Sequence, residues 1–95
     1  GFKMFEFDFS DGFRKILEKI SKKDPIMARA INRKIKEIIS RDDRSILAYK
    51  NLRHDLKNLK RVHITEWLII TFEVNLNENF ILFSDIASRD EVYKK

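Results

Sequence analysis

The segment 67–74, WLIITFEV, is the most apolar part of the chain and restricts the possible folds more than any other. It is far shorter than the roughly 18 residues that a transmembrane helix needs. Apolar side chains occupy both the odd-numbered and the even-numbered positions, and hence both faces, which is typical of a strand in the middle of a sheet. The turn-forming sequence NLNEN follows and 80–86 is again apolar, so we expect these two segments to form a β-hairpin.

Hydrophobic periodicity predicts one strand and two helices before this hairpin. The sequence FEFDF at 5–9 alternates apolar and acidic residues, as in a half-buried strand. Helical spacing of apolar residues follows over 11–22, and Ser10 supplies an N-cap oxygen. Pro25 suits the first turn of a second helix, whose apolar stripe continues for about sixteen residues. Two such helices in succession predict an antiparallel helical hairpin.

The order of these elements predicts a single α+β domain over residues 1–95. Both helices would pack on one face of a sheet of about four or five strands, in which the N-terminal strand joins later antiparallel strands. The other face would be partly exposed. After the polar break SRDDRS at 40–45, a short and charged segment from Tyr49 onward is strand-like.

Strand alternation separates the apolar from the basic side chains of 61–65. Val62 and Ile64 point to one face of the strand, and Arg61 and His63 point to the other. If the apolar pair faces the helices, the basic pair faces the uncovered side, close to Trp67 on the next strand. A cation, an imidazole and an indole suit a nucleic acid, because phosphate binds cations and an unstacked base binds a flat ring. The alternative is that these residues only solubilise an exposed strand.

Other basic and aromatic residues are further candidates. His63 could exchange protons near neutral pH, although a lone strand histidine is more often structural. The ending SRDEVYKK either places Arg89 and Tyr93 on one side of a helical turn or is a frayed polar terminus. Three cations of the second helix share one side and fit a solvated face better than an RNA contact: Arg29, Arg33 and Lys36.

Composition narrows the partners and the chemistry. Twenty Lys and Arg against fifteen Asp and Glu give a net charge of +5, which favours a nucleic acid or an acidic protein over a membrane surface. The absence of cysteine excludes a disulfide framework, a thiolate zinc site and a thiol nucleophile. The two histidines fit no common zinc-ligand spacing, so we expect neither a metal nor a cofactor. With no signal-peptide pattern, we expect a soluble, cytoplasmic protein.

Four segments in order resemble the RelE/ParE toxin superfamily, especially its RelE-like branch: YKNLRHDLKNLKRVHI, LIITFEV, ILFSDI and SRDEVY. The resemblance covers almost the whole chain. It implies a small, basic, two-layer toxin of a type II toxin-antitoxin system. Such a toxin binds the ribosome and cleaves mRNA without a metal, through attack of the RNA 2′-OH on the adjacent phosphate. A cognate antitoxin would hold it inactive.

The resemblance also implies roles for individual residues. Arg61 and Arg89 would neutralise phosphate charge, His63 would transfer a proton, and Tyr93 would stack on a base or carry the second proton. Further RNA contacts are expected at His54, Lys57, Lys60, Trp67 and Lys94.

Two positions depart from the pattern of the family. Ser88 stands where relatives usually have His, and Asn58 stands where they usually have Gly. Two alternatives therefore stay open beside the mRNA endonuclease. One is a ParE-like inhibitor of DNA gyrase, although that branch generally lacks the basic strand with His and the terminal Tyr. The other is a catalytically degenerate toxin that acts as an antitoxin-binding or DNA-binding partner.

Overall fold

The chain forms one strand, three helices, three further strands and a final short helix, as described by a computed structural model of residues 4–53 and 58–93. In chain order the elements are β1 (Glu6–Phe9), α1 (Asp11–Lys23), α2 (Pro25–Ile39), α3 (Asp43–Ile46), β2 (Leu59–His63), β3 (Leu68–Asn75), β4 (Phe80–Ser88) and α4 (Arg89–Tyr93). The predicted α+β class, both long helices and the hairpin are confirmed. Within these residues no helix is long and apolar enough to cross a bilayer.

The strands form one mixed sheet in the order β1-β4-β3-β2. β1 runs parallel to β4, whereas β2 with β3 and β3 with β4 are antiparallel. After the helical connection β2 points in the same direction as β1, and the two antiparallel steps from β2 to β3 and from β3 to β4 give β4 that direction again. The apolar β3 therefore lies inside the sheet, as the sequence predicts, and β1 and β2 form its edges.

Local capping fixes where the two long helices begin and end. The Ser10 hydroxyl accepts a hydrogen bond from the Phe13 amide at 3.1 Å and so caps α1. Asp24 separates the helices: its amide donates to the Ile20 carbonyl at 2.7 Å, and its carboxylate accepts from the Met27 amide at 3.0 Å. Pro25 follows at the first position of α2, where its missing N–H costs nothing.

The core lies between the helices and one face of the sheet. Phe83 of β4 is fully buried at its centre and contacts four other aromatic rings at centroid distances of 5.7–6.0 Å. Those rings belong to Phe7, Phe9, Phe13 and Phe72. Ile70 and Val74 of β3 belong to the same core cluster, so the even-numbered residues of this strand face the helices.

Three local features differ from the sequence predictions. The polar break contains α3, where Asp42 and Ser45 form a reciprocal capping box. Of the strand-like segment expected from Tyr49 onward, Leu59–His63 forms β2, whereas residues 49–53 form no strand and Asn51 makes an isolated bridge to Lys60. Trp67 precedes β3 in a bend, because the Thr65 hydroxyl accepts hydrogen bonds from the amides of Trp67 (3.2 Å) and Leu68 (3.1 Å). The helix α3 and the bend at Trp67 come from side-chain hydrogen bonds that compete with strand pairing.

Candidate functional site

The candidate site lies on the open face, which we define as the sheet face turned away from α1 and α2. Strand register places Arg61 opposite Thr71 and His63 opposite Ile69. Directly opposite residues share a face, and Thr71 and Ile69 have the parity opposite to the core-facing residues of β3. Val62 packs against the core, so the predicted separation of basic and apolar side chains is observed. His63 is exposed and Arg61 is half-buried.

A β-bulge in β4 adds a carboxylate to this face. Thr71 pairs with Asp85 and Phe72 with Phe83, which leaves Ser84 as the extra residue. The hydroxyls of Ser84 and Thr71 hydrogen-bond each other at 2.9 Å, and the Ser84 carbonyl accepts from the Ser10 hydroxyl at 2.8 Å. The extra residue shifts the alternation, so exposed Asp85 joins the row that contains Thr71 and Arg61.

Asp85 is absent from the residues predicted for the site. A signal was present in the sequence, because Phe83 and Ile86 both face the core although they are three residues apart. An uninterrupted strand would bring residues two or four apart to the same face. An odd spacing between two core residues of a strand therefore indicates a bulge.

Arg89 and Trp67 meet at one end of the sheet. The Arg89 amide donates to the Trp67 carbonyl at 2.6 Å, and the guanidinium carbon lies 5.9 Å from the centroid of the indole ring. Such a placement is a cation–π contact. Trp67 is 60% exposed, so its ring is accessible. Because it lies in a bend before β3, it stands beside the sheet end and not among the strand residues of the open face, where alternation had placed it.

Ser88 caps α4. Its hydroxyl accepts from the Glu91 amide at 3.2 Å, and its own amide donates to the Glu91 carboxylate at 2.9 Å. This is a capping box, for which the sequence SRDE has the required spacing. At the position where relatives usually have His, this chain thus has a residue that fixes the start of the helix carrying Arg89 and Tyr93.

Ser88→Ala should loosen α4 because the Glu91 amide loses its acceptor. We expect a local cost of about 0.5–2 kcal/mol and correspondingly faster amide hydrogen exchange at residues 91–93. Ser88→Asp keeps an acceptor at the N-cap and should exchange like the wild type. Equal exchange in the Ala variant and the wild type would show that the capping box does not hold α4.

Lys60 does not join the open face. It pairs with Phe72, lies on the helix side of β2 and is only 5% exposed. Its ammonium donates to the Asn51 side-chain oxygen at 2.6 Å and to the Leu47 carbonyl at 3.3 Å, and burial lowers the pKa of this ammonium. A buried amine held by protein oxygens cannot also reach RNA, so we correct the expectation that Lys60 contacts RNA directly.

The other predicted residues are placed only in part. Tyr93 is the last residue of α4, so its backbone follows Arg89 within one short helix. His54, Lys57 and Lys94 lie outside the described residues. Within 4–53 and 58–93, no three His, Asp or Glu side chains converge in a way that could hold a metal ion.

The fold is that of the small RelE/ParE-like toxins. A YoeB/ParE toxin from Agrobacterium tumefaciens superposes with a TM-score of 0.72 at 15% identity, over 88% of this chain and 98% of that one. The YoeB dimer structure from Staphylococcus aureus gives 0.71 at 18% identity, over 90% and 97%. At these identities the comparison establishes the fold alone.

A sequence relative establishes the family. A protein of Methanocaldococcus jannaschii named "Putative toxin RelE4" is 38% identical over 92 residues, which cover 97% of this chain and 94% of that protein. No family model matches the chain. The chain belongs to the RelE toxin family, as its sequence motifs indicated. Membership implies a toxin-antitoxin role and an antitoxin partner.

Proposed function

We propose that this protein is a ribosome-dependent mRNA endonuclease, the toxin of a type II toxin-antitoxin system. The observation that carries the proposal is the register of β2, which places Arg61 and His63 on the open face, away from the helices. They are two residues apart on a strand, hence about 7 Å apart along it, so both side chains can reach one phosphodiester linkage. Arg89 and Trp67 lie at the end of the same sheet.

The proposed reaction uses the RNA's own nucleophile. The 2′-oxygen loses its proton and bonds to the adjacent phosphorus, and the bond from phosphorus to the 5′-oxygen breaks. The leaving 5′-oxygen takes up a proton. The products are therefore a 2′,3′-cyclic phosphate and a 5′-hydroxyl. Catalysis therefore requires a proton acceptor, a proton donor and stabilisation of the negative charge that grows on the phosphoryl oxygens.

We assign these roles to residues of the open face and of α4. Arg61 and Arg89 are assigned to the phosphoryl charge, because a guanidinium presents a planar fork of donors to phosphate oxygens. His63 is assigned to proton transfer and is exposed to a substrate on this face. Tyr93 on α4 is assigned to base stacking or to the second proton. In this proposal the ribosome positions the mRNA, so the toxin itself does not need a deep substrate pocket.

Primer extension on mRNA tests this proposal. The purified protein should produce discrete cuts within a coding sequence that ribosomes are translating, and naked mRNA should remain intact. Arg33→Ala is the matched control, since it removes one exposed cation from α2 and none from the open face. It should cut like the wild type.

The same samples separate the alternatives. Intact mRNA in the presence of folded protein and translating ribosomes would contradict the proposal. Intact mRNA with gyrase-trapped DNA breaks would identify a ParE-like inhibitor. Neither effect, together with tight binding of an acidic protein encoded next to this gene, would identify a degenerate toxin that only binds its antitoxin.

A further inference from the structure

We propose that buried Lys60 is a positioning residue that orients the guanidinium of Arg61 through Asn51. The inference rests on the proposed function for its catalytic consequence, but the geometry can be tested without it. Three neighbouring residues carry it: Lys60 on the helix side of β2, Arg61 on the open face, and Asn51 in the segment beside this strand.

Lys60 is a buried amine whose desolvation disfavours its charged form. An amine placed among core residues loses its hydration, which is why burial lowers its pKa. Both acceptors that hold it, the Asn51 side-chain oxygen and the Leu47 carbonyl, are neutral. Within the described residues no carboxylate forms an ion pair with it. An apolar side chain would avoid this desolvation penalty, so stability alone does not account for a lysine here.

The bonds made by Lys60 fix the segment that runs beside β2. The Arg61 amide donates to the Lys50 carbonyl at 2.9 Å, and the Leu52 amide donates to the Leu59 carbonyl at 2.8 Å. Asn51 lies between these two backbone bonds, and its side chain accepts the 2.6 Å bond from Lys60. The ammonium thus anchors the middle residue of a segment that also pairs with β2 through its backbone.

Asn51 transmits this anchoring to Arg61. The Nε of Arg61 donates to the Asn51 carbonyl at 3.3 Å, near the long limit for such a bond. A small shift of Asn51 would break this contact and so remove one restraint on the Arg61 guanidinium. Catalytic groups lose much of their effect when they move by about 1 Å, because transition-state stabilisation depends on fixed donors. Lys60 would therefore act on RNA cleavage without touching RNA.

The first test measures Arg61 directly by NMR. In Lys60→Met, which keeps an apolar stem and removes the ammonium, the Arg61 Nε–H should exchange with water about tenfold faster than in the wild type. Arg61→Lys, which has no Nε, identifies the signal. Asn51→Asp keeps an acceptor for Lys60 and should retain the wild-type exchange rate, whereas Asn51→Leu should behave like Lys60→Met. Unchanged exchange in folded Lys60→Met or Asn51→Leu would overturn the inference.

A second test separates positioning from general stability. Lys60→Met should lower the cleavage rate kcat about ten- to a hundredfold with KM for ribosomes nearly unchanged. In an Arg61→Lys background it should have no further effect, because the group that it positions is absent. A merely structural lysine would lower the rate by the same factor in both backgrounds, and that result would also overturn the inference.

The two tests remain informative if folding or the proposed function fails. If Lys60→Met unfolds, the double variant Lys60→Met/Asn51→Leu removes both side chains of the 2.6 Å hydrogen bond, so that of this pair no polar group is left unsatisfied, while the Leu47 carbonyl loses its longer bond to the ammonium. It should fold and still show fast Nε–H exchange, and slow exchange would contradict the inference. If the wild type cuts no mRNA, the proposed function fails while the NMR experiment still decides whether Lys60 orients Arg61.

Discussion

Arg61→Ala should lower mRNA cleavage on translating ribosomes by about 10²–10³-fold and relieve the growth arrest caused by the protein without its antitoxin. The expected loss is large because Arg61 is the cation that strand register fixes on the open face, two residues from His63. The measurements are the single-turnover cleavage rate from primer extension and colony formation after induced expression.

Two variants show what the cleavage assay reports for Arg61. Arg61→Lys keeps the charge and loses the planar fork, so most of the activity should still be lost if the phosphate is bound by two donors at once. Arg33→Ala removes the same charge from the exposed side of α2 and should leave the rate unchanged. Equal losses for Arg61→Ala and Arg33→Ala would mean that net charge, not the open face, drives activity.

Phe83→Ala should destabilise the fold by about 3–5 kcal/mol. Its ring is fully buried and contacts Phe9, Phe13 and Phe72 in the core, so the truncation leaves a cavity that the helices and the sheet cannot close. For a domain of this size each kcal/mol lowers Tm by about 4–8 °C, so Tm should fall by more than about 10 °C. Urea unfolding followed by circular dichroism measures the effect.

Phe7→Ala is the matched control for this truncation. Phe7 contacts Phe83 edge-on at 6.0 Å but is 42% exposed, so its loss should cost clearly less than the loss of Phe83. If the two variants were equally stable, the aromatic cluster would not form the centre of the core.

Hydrophobic periodicity correctly predicted which face of a strand each side chain occupies wherever one face is buried and the other is exposed. Alternation placed Val62 against the core and Arg61 and His63 on the open face, because a strand offers only two faces and one of them is covered. The same rule puts Lys60 on the side of Val62. Its assignment to RNA came instead from the family's pattern of basic residues, and the structure shows that the alternation rule was the better guide.

The remaining differences arise from local features beside the main hydrophobic periodicity. The three-residue spacing of Phe83 and Ile86 indicates the bulge, whereas the hydroxyl bonds that join Ser84 to Thr71 and Ser10 form only once the folded chain brings these residues together. The capping box between Ser88 and Glu91 has the spacing of SRDE in the sequence, whereas the family resemblance alone marks Ser88 only as a position without the usual histidine. The placement of Asp85 follows from the bulge and could not be derived without it.

The parallel pairing of β1 with β4 bears on how the protein is synthesised. Among the strands of the described residues, β1 has β4 as its single neighbour, and Glu6 pairs with Phe80. A nascent chain therefore cannot pair β1 in the sheet until β4 has been synthesised and has left the ribosome. Until then the phenylalanines of β1 lack their partner strand, while the long helices and the β2–β3 pair can already form from contacts closer in sequence. A translation product that stops before β4 would lack the finished core, so we expect it to be inactive.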